Sequence, residues 1–116
     1  MSPRRVRRAH VAGVRGSAPL FAALGDETRL RVVSRLCARG PASIARLASG
    51  AGVTRQAITK HLHVLARAGL VRGTRRGREH VWELDPTQLA EARRYLDSIS
   101  AQWDDALSRL KAFVER

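Results

Sequence analysis

The chain of 116 residues contains a single cysteine, Cys37, so no disulfide can form within it. Aromatic residues make up only 4% of the sequence, and no apolar run reaches the roughly 18 residues that a membrane span requires. The basic N-terminus is not followed by an apolar segment long enough for a signal peptide. We therefore expect one small globular domain in the cytoplasm, with no membrane partner.

Acidic residues are scarce through most of the chain. Residues 1–80 hold 17 Lys and Arg against 3 Asp and Glu, a balance of +14, whereas residues 81–116 hold 5 against 7, a balance of −2. The two parts together give the formal net charge of +12. A basic body joined to a nearly neutral tail indicates one part that binds a polyanion and another part with a different task.

Motifs for catalysis and for metal binding are missing as well. The sequence has no nucleophile elbow, phosphate-binding loop or paired carboxylates, and we therefore predict that the protein is not an enzyme and uses no cofactor. His10, His63 and His80 do not have the spacing of metal ligands. Cys37 lies on an apolar stripe without a nearby Cys or His, so we expect a small core residue there.

The first sixteen residues form the most basic segment. They include five arginines, no acids and little helical periodicity, which predicts a disordered arm over residues 1–16. Such an arm fits two interpretations, a solvated leader or an extra contact with DNA.

Two helices are predicted between Ser17 and Ala38. Gly25 ends the first, and Asp26 is a favourable N-cap for the second. Gly40 follows the second helix and ends it. Apolar residues at spacings of three and four predict the buried stripe of this second helix, namely Leu30, Val33, Leu36 and Cys37.

The stretch from Ile44 to Arg67 has the pattern of two helices joined by a tight turn. Ser43 can cap the first helix, Gly52 suits the turn, and Thr54 can cap the second helix. Apolar residues predict the buried stripe of the second helix, namely Ile58, Leu62 and Leu65. This arrangement is typical of a helix-turn-helix.

The polar face of that second helix is the candidate DNA-reading surface, and it consists of Arg55, Gln56, Thr59, Lys60 and His63. Arginine can bind the guanine edge and glutamine the adenine edge, each worth roughly 1–3 kcal/mol of discrimination. A solvated helix face is the plainer alternative. His61 lies near the buried stripe, where it either packs and orients the helix or contacts DNA.

A hairpin is predicted after the helix-turn-helix. Val71 to Arg75 and Glu79 to Leu84 can pair around a turn at residues 76–78. Four arginines crowd the hairpin and its tip, namely Arg72, Arg75, Arg76 and Arg78. A helix-turn-helix followed by a basic hairpin is the winged-helix arrangement.

A long helix is predicted from Pro86 to Val114, with Asp85 as its cap. It would be about 43 Å long at about 1.5 Å per residue. Apolar residues recur along it with alternating spacings of three and four, namely Leu89, Ala92, Leu96, Ile99, Trp103, Ala106, Leu110 and Phe113. This heptad seam predicts a homodimer interface, although another protein partner would also fit.

Three segments resemble the ArsR-like (arsenical-resistance repressor) family of winged-helix transcription regulators. They are ALGDETRLRVVSRL, VTRQAITKHLHVLARAGLV and RRGREHVWEL. The resemblance implies a mainly α fold with a small β-hairpin, in which residues 17–85 form the winged helix-turn-helix DNA-binding domain and residues 86–116 the long C-terminal dimerisation helix. On the recognition helix it places Thr54, Arg55, Gln56, Thr59, Lys60 and His61. On the wing it places Arg75, Arg76 and Arg78.

The resemblance further implies a homodimeric repressor that binds a palindromic operator in double-stranded DNA through the helix Thr54–Ala68 and the wing Arg72–Leu84. Some metal sensors of the family carry thiolates at the start of the first helix of the motif, where this chain has Ser43 and Ala45. Others carry Asp and His ligands on the C-terminal helix, but in this chain no histidine follows His80. We therefore expect the non-metal-sensing type, and the residues leave open both whether a small-molecule effector exists and what it is. Two alternatives remain: a metal- or thiol-responsive repressor of this family, and a sequence-neutral architectural DNA-binding protein.

Overall fold

The computed structural model describes residues 16–115, so nearly all of the predicted basic arm lies outside the described residues. The chain is mainly helical with one small sheet, which confirms the predicted fold class. The elements, in chain order, are α1 (residues 16–24), α2 (Glu27–Arg39), β1 (Ala42–Ser43), α3 (Ile44–Ala48), α4 (Arg55–Arg67), β2 (Val71–Arg76), β3 (Glu79–Leu84) and α5 (Pro86–Val114).

Four helices begin at the polar residues that the sequence predicts as caps. The side chains of Asp26, Ser43, Thr54 and Asp85 each accept a hydrogen bond from a backbone N–H in the first turn, at 3.0–3.3 Å. Such a cap contributes about 0.5–2 kcal/mol relative to alanine. The beginnings of α2, α3, α4 and α5 are therefore determined by local chemistry.

The buried stripe of α2 differs from the prediction. Val32 and Leu36 are buried, whereas Leu30 is 48% exposed and Cys37 is exposed too, so neither belongs to the core. The apolar residues of this helix offer two overlapping stripes, and α2 turns the one with Val32 and Leu36 toward α4 and β3. Periodicity alone could not choose between the two stripes, because the choice depends on where the neighbouring elements lie.

The sheet contains a strand that the sequence did not indicate. Strand β1 is two residues long, too short to show a periodic pattern, and it pairs with β3 through Ala42 opposite Trp82 and Ser43 opposite Val81. The strand order β1-β3-β2 makes β3 the central strand. Val81 and Trp82 are consequently both buried, although successive side chains of a strand point to opposite faces.

The core is built around the buried stripe of α4. Ile58, Leu62 and Leu65 are each 0% exposed, as the sequence predicts, and Leu70 follows them into the core. Burial of a side chain of this size stabilises the fold by about 1.5–3 kcal/mol. The same contacts fix which face of α4 points away from the protein.

Helix α5 has a packed beginning and an exposed remainder. Ala92 is buried and Leu89 is half-buried against the core, but from Leu96 onward nearly all side chains are exposed. Among the described residues, none of the helices is long and apolar enough to cross a membrane.

The wing turn depends on Gly77. Arg76 lies opposite Glu79, so Gly77 and Arg78 are the two central residues, and only Gly77 has a positive φ, of 65°. A positive φ at the first central position is typical of a type II′ turn. We expect Gly77→Ala to destabilise the hairpin by about 1–2 kcal/mol, because an L-residue is strained there. Hydrogen exchange of the β2 and β3 amides measures this effect.

Arg78→Ala is the matched control for the wing turn, because Arg78 occupies the next turn position without a positive φ. It should leave amide protection in the hairpin unchanged. Equal loss of protection in both variants would contradict the role assigned to Gly77.

The cap of α2 predicts a dependence of stability on pH. The backbone N–H of Arg29 donates to the Asp26 carboxylate and, with the nearby charge of the Arg29 guanidinium, holds the pKa of Asp26 below its ordinary value of 3.8 despite partial desolvation. A lowered folded-state pKa stabilises the protein above the unfolded pKa, and this stability is lost as pH falls through the folded value. Asp26→Asn keeps a capping oxygen but removes the charge.

We therefore expect Asp26→Asn to unfold at lower urea concentration than the wild type near neutral pH. The difference should shrink below about pH 3.8 and disappear once Asp26 is protonated in the folded state. Asp105→Asn, which removes an exposed charge from α5, controls for the change in net charge. A difference between wild type and Asp26→Asn that is independent of pH would show that the charge does not stabilise the cap.

Candidate nucleic-acid interface

The outward face of α4 carries a row of exposed polar side chains, Gln56, Lys60, His63 and Arg67, at successive spacings of four, three and four residues. Residues at these spacings lie on one side of a helix. Within residues 16–115, Gln56, Lys60 and Arg67 make no hydrogen bond or ion pair, so their polar groups face solvent. Arg67 is not among the residues that the sequence analysis assigns to the DNA-reading surface. Its position in the row was a signal available in the sequence.

The N-terminal end of α4 adds Arg55 and two threonines. Arg55 is exposed at the beginning of the helix. The Thr54 hydroxyl accepts the cap hydrogen bond from Ala57, so its own proton remains available for a phosphate. The Thr59 hydroxyl donates to the carbonyl of Arg55 at 2.8 Å, which leaves it only acceptor capacity and its methyl group for a DNA base.

Three rings connect α4 to the wing. The rings of His63 and Trp82 lie 6.0 Å apart, and those of His80 and Trp82 lie 4.9 Å apart. His80 occupies the space above Gly73, where an added Cβ would collide with its Nε2 atom. Gly73 thus lets the imidazole lie on the sheet. The wing and the outward face of α4 form one continuous surface through these contacts.

The wing arginines divide between the two faces of the hairpin. Arg75 lies opposite His80, on the same face as Trp82. Arg72 and Arg76 point to the other face, where they approach Glu83 at 3.0 and 3.9 Å. Arg78 is in the turn, and neither it nor Arg75 forms an ion pair within the described part of the chain. The two arginines without an acidic partner there are therefore Arg75 and Arg78.

A groove separates the wing from α3. It has a volume of about 300 Å³, and Arg46 of α3 and Arg76 of the wing line it together with Ser43 and Glu79. Arg46 was not among the predicted contacts. Only β1, which brings the beginning of α3 beside the central strand, places Arg46 near the wing.

His61 lies on a different side of α4 from the outward row. Its Nδ1 atom is 3.4 Å from Nη1 of Arg29 and 3.8 Å from a carboxylate oxygen of Asp26, both near the beginning of α2. Its side chain is 23% exposed. The structure therefore separates His61 from the other predicted recognition-helix residues and brings it to α2.

The combined surface suits a double helix. An α-helix is about 10–12 Å wide with its side chains, which matches the major groove of about 12 Å. The basic wing lies beside α4, and arginine is a common partner of DNA phosphates. Among the described residues, no group of three or more His, Cys, Asp and Glu side chains is placed to hold a metal ion.

Comparison with known proteins identifies the family. A family model for a helix-turn-helix domain matches residues 24–74. The HTH-type transcriptional regulator Rv2034 of Mycobacterium tuberculosis is 43% identical over 93 residues, covering 80% of this chain and 83% of that protein.

Two solved structures are similar over most of their length. An ArsR-like transcriptional regulator from Rhodococcus sp. RHA1 is 38% identical, with a TM-score of 0.71 over 85% of this chain and 92% of that one. The homodimeric winged helix-turn-helix DNA-binding domain of Mb0332 from Mycobacterium bovis is 23% identical, with a TM-score of 0.59 over 94% and 93%. The chain belongs to the ArsR-like family of helix-turn-helix transcriptional regulators.

Proposed function

We propose that this DNA-binding regulator is a homodimeric repressor of a palindromic operator. The observation that carries the proposal is the outward row of α4, which presents polar groups of Gln56, Lys60 and Arg67 beside a basic wing. A dimer bound across a promoter represses by excluding other proteins from the same DNA. We propose that the protein acts without enzymatic activity. We also propose that it is located in the cytoplasm. The effector and the non-metal-sensing type remain predictions of the sequence.

Each part of this surface has its own task in the proposal. Gln56 and Lys60 reach base edges from the outward row of α4, and Arg55 does so from the exposed start of the helix. Arg75 and Arg78 bind phosphates, and Thr54 adds a hydroxyl donor at the start of α4. Base contacts provide specificity, whereas phosphate contacts provide affinity that depends on salt.

The exposed seam of α5 supports the homodimer. Trp103, Leu110 and Phe113 are 63%, 59% and 72% exposed, and Leu96 and Leu107 extend the same apolar surface. Monomeric proteins rarely expose so continuous an apolar patch. The relative from Mycobacterium bovis is described as homodimeric. Dimerisation through this seam would place two copies of α4 in successive major grooves, about 34–36 Å apart.

Gln56→Ala tests the role of α4 in specificity. We expect it to lower discrimination between operator and scrambled duplex by about 1–3 kcal/mol, because a bidentate contact with a base edge is lost. Fluorescence anisotropy at fixed salt, with an operator obtained by genomic footprinting, measures both affinities. Unchanged discrimination would argue against α4 as the reading element, and a wild type without preference would indicate an architectural DNA-binding protein.

Arg78→Ala is the counterpart in the wing. It should weaken binding to all sequences alike and reduce the salt slope of log affinity by about 1, because one phosphate contact is lost. A loss confined to the operator would contradict the phosphate role. Gln56→Ala and Arg78→Ala thus control for each other, since one should change specificity and the other general affinity.

Leu110→Asp tests the dimer. We expect it to convert a dimer into a monomer in analytical ultracentrifugation, because a buried unpaired carboxylate is costly in an apolar seam. Ser108→Asp adds the same charge on the opposite side of α5 and should remain dimeric. A wild-type monomer, or dissociation by both variants, would contradict an interface formed by the seam.

A further inference from the structure

A polar bridge joins three helices on the side of α4 opposite the wing. One nitrogen of the Arg29 guanidinium, Nε, donates to the carbonyl oxygen of Ala23 at 2.6 Å, and another, Nη1, lies 3.4 Å from Nδ1 of His61. The backbone N–H of Arg29 donates to Asp26 at 3.0 Å. A single side chain of α2 therefore connects the C-terminal end of α1 to α4.

Through α1, the bridge is connected to α5, the helix that carries the exposed seam. Helix α1 packs against α5, where the rings of Phe21 and Tyr95 are 6.0 Å apart. Leu20 and Ala23 of α1 and Ala92 of α5 are all buried. A continuous set of contacts thus runs from α5 through α1 and Arg29 to His61.

We propose that Arg29 and His61 are positioning residues for operator recognition, which fix the orientation of α4 relative to α1 and α5 without contacting DNA themselves. This inference rests on the proposed function. The bridge belongs to a flank of the recognition helix that points into the protein rather than toward the groove. His61 thereby moves from the predicted DNA-contacting set to a supporting role.

Contacts with base edges and contacts with phosphates respond differently to a change in the orientation of α4. Hydrogen bonds to base edges weaken steeply when distances and angles change. Phosphate contacts by long flexible side chains adapt to small shifts of the backbone. A small rotation of α4 should therefore reduce binding to the operator much more than binding to unrelated DNA.

The hydrogen bonds of the bridge suggest which variants to compare. The guanidinium has only donors, so Nδ1 of His61 accepts and the imidazole proton is on Nε2 in the bridged state. His61→Leu removes the acceptor, whereas His61→Asn places an oxygen near the position of Nδ1. Arg29→Met removes the donors. Arg31→Met is the matched control, because Arg31 is on α2 but pairs with Glu27.

The experiment measures, at one salt concentration, the affinity of each full-length variant for two duplexes of equal length. One is selected by the wild-type protein from a random-sequence pool, and the other is its scrambled version. We expect His61→Leu and Arg29→Met each to lower the affinity ratio about tenfold, or about 1.4 kcal/mol, with scrambled-duplex binding unchanged. The double variant should lose no more than either single variant, since both remove the same contact. His61→Asn and Arg31→Met should retain the preference.

Two further readouts separate positioning from simple stabilisation. In ¹⁵N NMR, Nδ1 of His61 should show an unprotonated, hydrogen-bonded shift in the wild type and lose it in Arg29→Met. The second readout is the urea midpoint of unfolding of each variant. An unchanged affinity ratio in both variants would overturn the proposal. Equal losses of affinity for both duplexes, in proportion to a lowered urea midpoint, would overturn it too. A wild type that prefers neither duplex would refute the proposed function itself, and this failure is visible before any variant is made.

Discussion

The burial of one side of α4 determines the rest of the structure. Ile58, Leu62 and Leu65 are 0% exposed, and they pack against α2, α3 and the sheet. Because these three side chains repeat every three or four residues, their burial forces the intervening polar residues outward. The row from Gln56 to Arg67 is exposed as a direct consequence. The burial that stabilises the core therefore also determines which polar side chains of α4 are exposed.

Two histidines, two residues apart, lie on different flanks of this helix. His63 contacts Trp82 and so connects α4 to the wing, whereas His61 approaches Arg29 and so connects α4 to α1 and α2. The apolar contacts fix which side of the helix is buried, and these two contacts lie on either flank of that buried side. A regulator that reads bases needs both, because a helix that is buried but loosely oriented cannot hold hydrogen-bond geometry.

Local features were predicted well from the sequence. The four caps, the helix-turn-helix boundaries and the hairpin pairing all follow from residues close together in the chain. Predictions that required knowledge of distant neighbours were less accurate. Leu30 and Cys37 were assigned to the core because they are apolar and well spaced, yet α2 buries Val32 and Leu36 instead. Strand β1 was missed because two residues carry no pattern, and Arg46 was missed with it.

The sequence by itself determined the family, the order of the elements and the polar face of α4, because periodicity, caps and motif spacing are properties of neighbouring residues. Only the tertiary structure decided which of those polar residues face away from the core. It brought His61 to Arg29, laid His80 over Gly73, and divided the wing arginines between Glu83 and solvent. These contacts join residues that lie far apart in the chain or across a strand pair, so they depend on packing angles that no local pattern encodes.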